Sequence, residues 1–216
     1  MTDLHVGLDL DGTLVDSRSR HGRALAAAAV SLECELPHGL IANYVALKSD
    51  GRSGLKVLKA SGIPDADKLI ARWAEIIESD EFLLQDALYR GVTGELKKHA
   101  ARGMVFYIVT SRQRRGAVLR QIEELGLGKV IEHTYVVQPG GSATKGRASE
   151  HLELCAVVGD TEVDWEWSRE LTVDFFPLDW GFRNRAFWLE RGVKPWKDLG
   201  AVLDAIEKKH AGLQRM

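Results

Sequence analysis

The stretch HVGLDLDGTLVDS, His5 to Ser17, decides how the whole chain is read. Its apolar half has the character of a buried strand, and it closes on two carboxylates, Asp9 and Asp11, set against Gly12. Two carboxylates about 4 Å apart repel by roughly 4 kcal/mol at an effective dielectric near 20, so such a pair at the mouth of a hydrophobic sheet calls for a cation. A single Asp after a strand is ordinarily a turn or capping residue. The reading therefore depends on what else the chain brings to the same place.

Four more apolar runs have strand character: MVFYIVT (Met104 to Thr110), TYVVQ (Thr134 to Gln138), CAVVGD (Cys155 to Asp160) and DFFPL (Asp174 to Leu178). Several are continuous rather than alternating, as expected where helices cover both faces of a parallel sheet. Helical patterns separate them, including Gln113 to Leu125 with its Val118, Leu119, Ile122 and Leu125 face. This βαβ punctuation predicts an α/β, Rossmann-like doubly wound parallel sheet. Between the first two strands the rhythm breaks: residues 16–88 hold helix patterns rich in Ala, Leu, Ile, Lys and Glu and no convincing strand. Pro64 followed by Asp65 marks one helix start there. The expected organisation is a core of residues 1–15 and 89–216 with an inserted α-helical cap at 16–88.

The 29 basic and 31 acidic side chains among 216 residues leave a net charge of −2, which points away from nucleic acid and anionic membrane and toward a small polar ligand. Cys34 and Cys155 stand far apart outside any C-x-x-C spacing, so they read as small buried hydrophobes in a reducing compartment. The longest apolar run, ALAAAAV (Ala24 to Val30), is too short to span a bilayer, and no basic segment leads into an apolar one at the N-terminus. A cytoplasmic protein, monomer or homodimer, is expected.

Ligands of open α/β sheets bind beyond the C-terminal strand ends, where the winding reverses. GDTEVD puts Asp160 and Asp164 at the end of the fourth strand. If that strand neighbours the first, four carboxylates face one crevice. Oxygen-only ligands, few in number, suit Mg²⁺, which keeps waters and shares phosphate oxygens. Thr110, ending FYIVT, offers a hydroxyl beside backbone N–H groups, and Lys145, in GGSATKG, a point positive charge for phosphoryl oxygens. Taken singly, a strand-end Thr is a cap and a Lys solvates a surface. GGSATKG is not a nucleotide P-loop, lacking Gly before Lys145 and Ser or Thr after it.

In order, DLDGTL, VTS, Lys145 and GDTEVD resemble the four motifs of the haloacid-dehalogenase-like (HAD) superfamily of phosphotransferases and phosphatases. The segment LDWGFRNRAFWLERGVKPWKDL is similar to the C-terminal region of its phosphoglycolate phosphatase-like branch. The resemblance implies a HAD-like core with a helical cap and an aspartyl-phosphate mechanism. Asp9 would be the nucleophile, and Asp11 would protonate the leaving oxygen and then activate water. Mg²⁺ would be held by Asp9, the Asp11 backbone carbonyl and Asp160, with Asp164 in support, while Thr110 and Lys145 hold the phosphoryl oxygens. An acid at Asp11 favours phosphate esters over haloacids and phosphonates. The chain departs from the family where Gly146 and Arg147 follow Lys145 in place of Lys-Pro-x-Pro, leaving Arg147 as a substitute, and where Ser111 replaces an Asn common in relatives.

For the substrate, LKSDGRSGLKVL resembles the mutase branch's substrate loop and nominates Lys48 and Arg52, and His21 matches a histidine at the core–cap junction. Lys48 and Arg52 each have an ordinary structural reading of comparable weight, as residues of a solvated loop, and a lone His is more often structural than catalytic. Arg112, Arg114 and Arg115 follow the second motif and could extend the anion site, though such a run early in a helix is usually a solvated face, and Trp165, Trp167, Trp180, Trp188 and Trp196 read as core or dimer surface. The sequence predicts a Mg²⁺-dependent phosphatase of small phosphorylated metabolites. Alternatives are a phosphomutase of the β-phosphoglucomutase type and a phospho-accepting signalling module.

Overall fold

The structure, a computed structural model, describes residues 3–213. The strand β1 (Leu4–Leu8) is followed by the two-residue β2 (Val15–Asp16) and then by five helices: α1 (Arg18–Ser31), α2 (Leu40–Lys48), α3 (Gly54–Ala60), α4 (Ala66–Ile76) and α5 (Asp80–Leu83). The chain returns through β3 (Ala87–Leu88), which pairs antiparallel with β2. It then alternates α6 (Val92–Ala100), β4 (Met104–Ser111), α7 (Arg115–Glu124), β5 (Ile131–Val137), α8 (Ser142–Ser149), β6 (Ala156–Gly159), α9 (Glu162–Glu170) and β7 (Asp174–Pro177). Two helices close the chain, α10 (Arg185–Leu189) and α11 (Leu199–Leu213).

The five long strands form one parallel sheet in the order β5-β4-β1-β6-β7. β1 lies at the centre, and the winding runs from it one way to β4 and β5 and the other way to β6 and β7. All five predicted strands are present, with ends shifted by up to three residues. The β2–β3 ribbon is a correction to the strand-free reading of 16–88: two-residue strands carry no periodic signal.

Side-chain parity divides the core. Val6, Leu8, Phe106, Ile108, Ala156 and Val158 face α7 and α11 through Val118, Ile122, Val202, Leu203 and Ile206. The opposite face puts Val109 and Val157 against Trp167, Leu152 and Leu154. On that side β1 presents His5, which packs on Tyr107, and Gly7, where a Cβ would sit 2.7 Å from Trp167 and 2.8 Å from Leu154. The inserted helices carry an apolar cluster of their own, with Leu25, Ala28, Tyr44, Leu58 and Leu69 at its centre. Cys34 and Cys155 are half-buried free thiols rather than fully buried ones. Among the described residues no helix is long and apolar enough to cross a membrane.

Candidate active site

β1 delivers Asp9 in strand register, its N–H donating to the Val158 carbonyl at 3.0 Å. The chain then turns sharply: the N–H groups of Leu14 and Val15 both donate to the Leu10 carbonyl at 3.0 Å. Gly12 makes this possible at φ +81°, and a Cβ there would also run into the Asp160 carboxylate. Gly181, from the WGF segment, packs as closely on the same Asp160 oxygen and on the Gly12 carbonyl. Asp160 is fully buried, accepting from Thr13 Oγ1 at 3.2 Å and from the Phe182 N–H at 2.6 Å. Asp164, in the first turn of α9, accepts at one oxygen from the Thr161 N–H and hydroxyl, at 3.1 and 2.8 Å. Its other oxygen accepts from Lys145 Nζ at 2.7 Å, and the same ammonium donates to Asp9 Oδ1 at 2.5 Å.

Oxygens of Asp9, Asp160 and Asp164 thus lie within 4.8 Å of one another, all three residues buried. Burial pushes Asp9 up to about 7, with Lys145 pulling it down and Asp164 and Asp11 adding to the rise. Burial also raises Asp160 well above the usual carboxylate range, reinforced by Asp9 and Asp164. Lys145 supplies one positive charge against three carboxylates. An all-oxygen, over-acidic cluster of this kind fits a hard divalent cation such as Mg²⁺. Lys145 lies on α8 rather than at a strand end as expected, and Arg147 is exposed, donating to the Ala143 carbonyl at 3.2 Å.

A cavity of about 370 Å³, within the range of small-molecule sites, opens over this cluster. Asp9, Asp11, Thr110, Ser111 and Lys145 line one side, and His21, Trp73, Ile77 and Glu78 of the inserted segment line the other. Thr110 is buried, and the buried Ser111 Oγ has no hydrogen-bond partner among the described residues, which leaves it available to a ligand oxygen.

The Asp11 side chain stands apart from the carboxylate cluster. Arg112 grips it through Nε at 2.5 Å and Nη2 at 2.8 Å, and Arg20 pairs with Oδ1. Burial would raise Asp11, but the Arg112 and Arg20 charges outweigh it and hold the carboxyl far below its ordinary value. Arg112 is therefore not part of a solvated helix face. Its N–H continues the β4–β5 pairing onto the Val137 carbonyl at 3.0 Å, so it precedes α7 and points inward. Arg114 and Arg115 are exposed as expected.

His21 lies 3.5 Å from Lys48 Nζ and packs on Trp73 and Phe182, and burial followed by Lys48 and Arg20 holds it well below an ordinary imidazole. Burial, then Arg183, pulls Lys48 down to about 8. Arg52 does not join them; it is half-buried, pairs with Asp50 at 3.0 Å and does not line the cavity. Arg20, Trp73 and Glu78 were missed in the sequence. Glu78 accepts from the N–H groups of Gln113 at 2.9 Å and Arg114 at 2.8 Å, docking the inserted segment on the start of α7. Arg20 could have been found from its position one turn into a helix that begins at the core junction. Trp73 and Glu78 carry no comparable signal. Of the tryptophans, Trp167 and Trp188 are fully buried, whereas Trp180 stacks on Tyr89 and donates to the Thr13 carbonyl at 3.2 Å, bracing the Asp9 loop.

A doubly wound sheet whose strand ends gather three carboxylates, a buried lysine and a free hydroxyl under a helical insertion defines an α/β protein with its ligand crevice at the point where the winding reverses. The chain belongs to the haloacid dehalogenase-like hydrolase family, whose model matches residues 5–167. Among solved structures it is similar to a predicted phosphatase from Clostridium acetobutylicum, at 15% identity over 96% of this chain and 100% of that one, with a TM-score of 0.72. A predicted phosphoglycolate phosphatase from Haemophilus somnus is 18% identical over 84% and 87% of the two chains, at TM-score 0.64. Protein Tyrosine Kinase A of Mycobacterium tuberculosis is 20% identical over 95% and 98%, at TM-score 0.74. No curated protein sequence matches the chain.

Proposed function

We propose that this hydrolase is a Mg²⁺-dependent phosphatase of small phosphorylated metabolites, in which residues 16–88 act as a cap over the core. The observation that carries the reading is the junction of Asp9, Asp160 and Asp164 with Lys145 on the floor of one cavity. The names of the Clostridium and Haemophilus neighbours agree with it.

Asp9, Asp160 and the Asp11 backbone carbonyl would hold the ion, with Asp164 in support; when bound, Mg²⁺ screens the carboxylates and the phosphoryl oxygens from one another. Asp9 attacks phosphorus in line and becomes an aspartyl-phosphate. Lys145 fixes Asp9 and balances charge on the transferring group, while Thr110 and Ser111 take its remaining oxygens. Asp11 protonates the leaving oxygen and then deprotonates the water that frees Asp9. To serve as an acid it must first leave the Arg20–Arg112 grip, since a carboxylate between two guanidinium groups carries no proton near neutrality.

The test is phosphate release from phosphoglycolate, sugar phosphates, nucleotides and an aryl phosphate, with and without EDTA. Turnover lost in both Asp9→Asn and EDTA supports the reading; turnover that survives either defeats it. His21, which lines the cavity, with Lys48 behind it at 3.5 Å, favours a second reading, a phosphomutase. Conversion of a hexose 1-phosphate to its 6-phosphate with little free phosphate would establish that activity instead.

A further inference from the structure

The packing of α6 against α11 builds a second cluster of ligating side chains, remote from the cavity. α6 leads through Gly103 into the N-terminal end of β4, so its last turn is separated from Thr110 by roughly 20 Å of strand. His99 is wholly buried there, with Nδ1 2.7 Å from Glu207 Oε1. Its other ring nitrogen, Nε2, has no hydrogen-bond partner among the described residues. That nitrogen faces Glu95 Oε2 and Asp204 Oδ1, each at 3.6 Å.

These two spacings distinguish between explanations. An imidazolium would draw one carboxylate into a charge-assisted hydrogen bond of about 2.7–2.9 Å, as Glu207 already makes on the opposite nitrogen. Two donors bound to one tetrahedral ion at about 2.0–2.1 Å stand about 3.4 Å apart, close to what is seen. A carboxylate on one imidazole nitrogen also fixes the tautomer that leaves the other nitrogen's lone pair free for a metal. Lys98 Nζ, 3.0 Å from Glu95 Oε2 and 3.8 Å from Asp204 Oδ1, bridges the same two carboxylates and shows that the spot draws a cation. Its side chain is 40% exposed and is free to swing into solvent. Arg102 Nη1 balances Glu207 from the outside at 3.2 Å and also lies 3.7 Å from Asp204 Oδ1.

We propose that Glu95, His99 and Asp204 form a second metal site, oriented by Glu207, that takes Zn²⁺ and staples α11 to α6. One imidazole nitrogen with two carboxylate oxygens suits Zn²⁺, whereas Mg²⁺ favours oxygen alone.

The test is a Co²⁺ titration of the whole protein in saturating Mg²⁺, which occupies the catalytic cluster, read by visible absorption. One equivalent should produce the strong d–d bands of four-coordinate Co²⁺, displaced by Zn²⁺ and unchanged in Asp9→Asn. Asp204→Asn should weaken binding more than tenfold, and Glu207→Gln by roughly 10–100-fold. Lys98→Met, which removes the competing ammonium, should tighten it. Asp204 is 44% exposed, so its variant keeps the fold. Absence of the bands, or bands unaltered by Asp204→Asn, overturns the proposal and leaves His99 as a structural member of a polar network. Because the readout does not involve turnover, failure of the phosphatase reading would leave this result untouched.

Discussion

Replacing Lys145 with Met tests whether one ammonium holds the carboxylate cluster together. Lys145 is 2% exposed and lies 2.5 Å from Asp9 and 2.7 Å from Asp164. At an effective dielectric near 20 each contact attracts by about 6 kcal/mol, most of which is offset by stripping water from the charges. Deleting one partner of a buried pair exposes that imbalance and costs about 3–5 kcal/mol. The metal-free variant should therefore unfold at lower denaturant concentration with an unchanged m-value. Mg²⁺ should stabilise the variant more than the parent, because the cluster has become more negative by one charge. Turnover should nevertheless fall by roughly 10²–10³, the cost of losing one preorganised donor to the transferring group.

The pH dependence gives a second readout of the same variant. Burial pushes Asp9 from 3.8 up to about 7, so over that interval the folded chain binds a proton that the unfolded chain has released. In the parent this contribution to stability is greatest at low pH and declines as pH rises to about 7. Lys145 pulls Asp9 down, so Lys145→Met should extend the decline to higher pH. A variant that matches the parent in metal-free stability, or that gains no more than the parent from Mg²⁺, would refute the charge argument.

Arg112→Met should move acid unfolding to higher pH: the depressed Asp11 contributes stability that is lost as pH falls through its folded value, and removing Arg112 raises that value. A circular-dichroism titration reads the midpoint. Lys48, pulled down to about 8, should give kcat/KM a limb that declines above that pH as its positive charge is lost, and Lys48→Met should abolish the limb. Gly7→Ala should destabilise by about 1–3 kcal/mol through overpacking against Trp167, measured by urea unfolding.

The five strands and the convergence of Asp9, Asp160 and Asp164 were legible because they depend on local apolar runs and on one topological rule. β1 pairs with both β4 and β6, and that adjacency carries Asp160 to Asp9. Arg112 was misread for the converse reason. It precedes a helix in a basic run, which suggests solvent, yet β4 extends through Ser111 and turns it inward. Arg20 and Glu78 act through partners 9 and 35 residues away, Asp11 and Gln113, on elements whose docking no periodicity encodes. Lys48 and Arg52 looked alike in one loop, but only Lys48 falls on the inward side, at the last residue of α2.

The grip on Asp11 links the core to the insertion. Arg20 belongs to the first helix of the insertion and also pairs with Asp86, the residue before β3, at 3.2 Å. Arg112 follows β4, and Gln121 joins it to Asp86 through bonds of 3.3 and 2.9 Å. Both crossings between core and insertion therefore meet at the side chain proposed as acid and base. Arg20 Nε and Arg112 Nη1 are buried without hydrogen-bond partners among the described residues, so the network retains unused donors facing the same region. A substrate anion that engages them would loosen the hold on Asp11. Proton transfer would then be tied to occupancy of the cavity, and an enzyme without substrate would keep its acid–base group ionised and restrained.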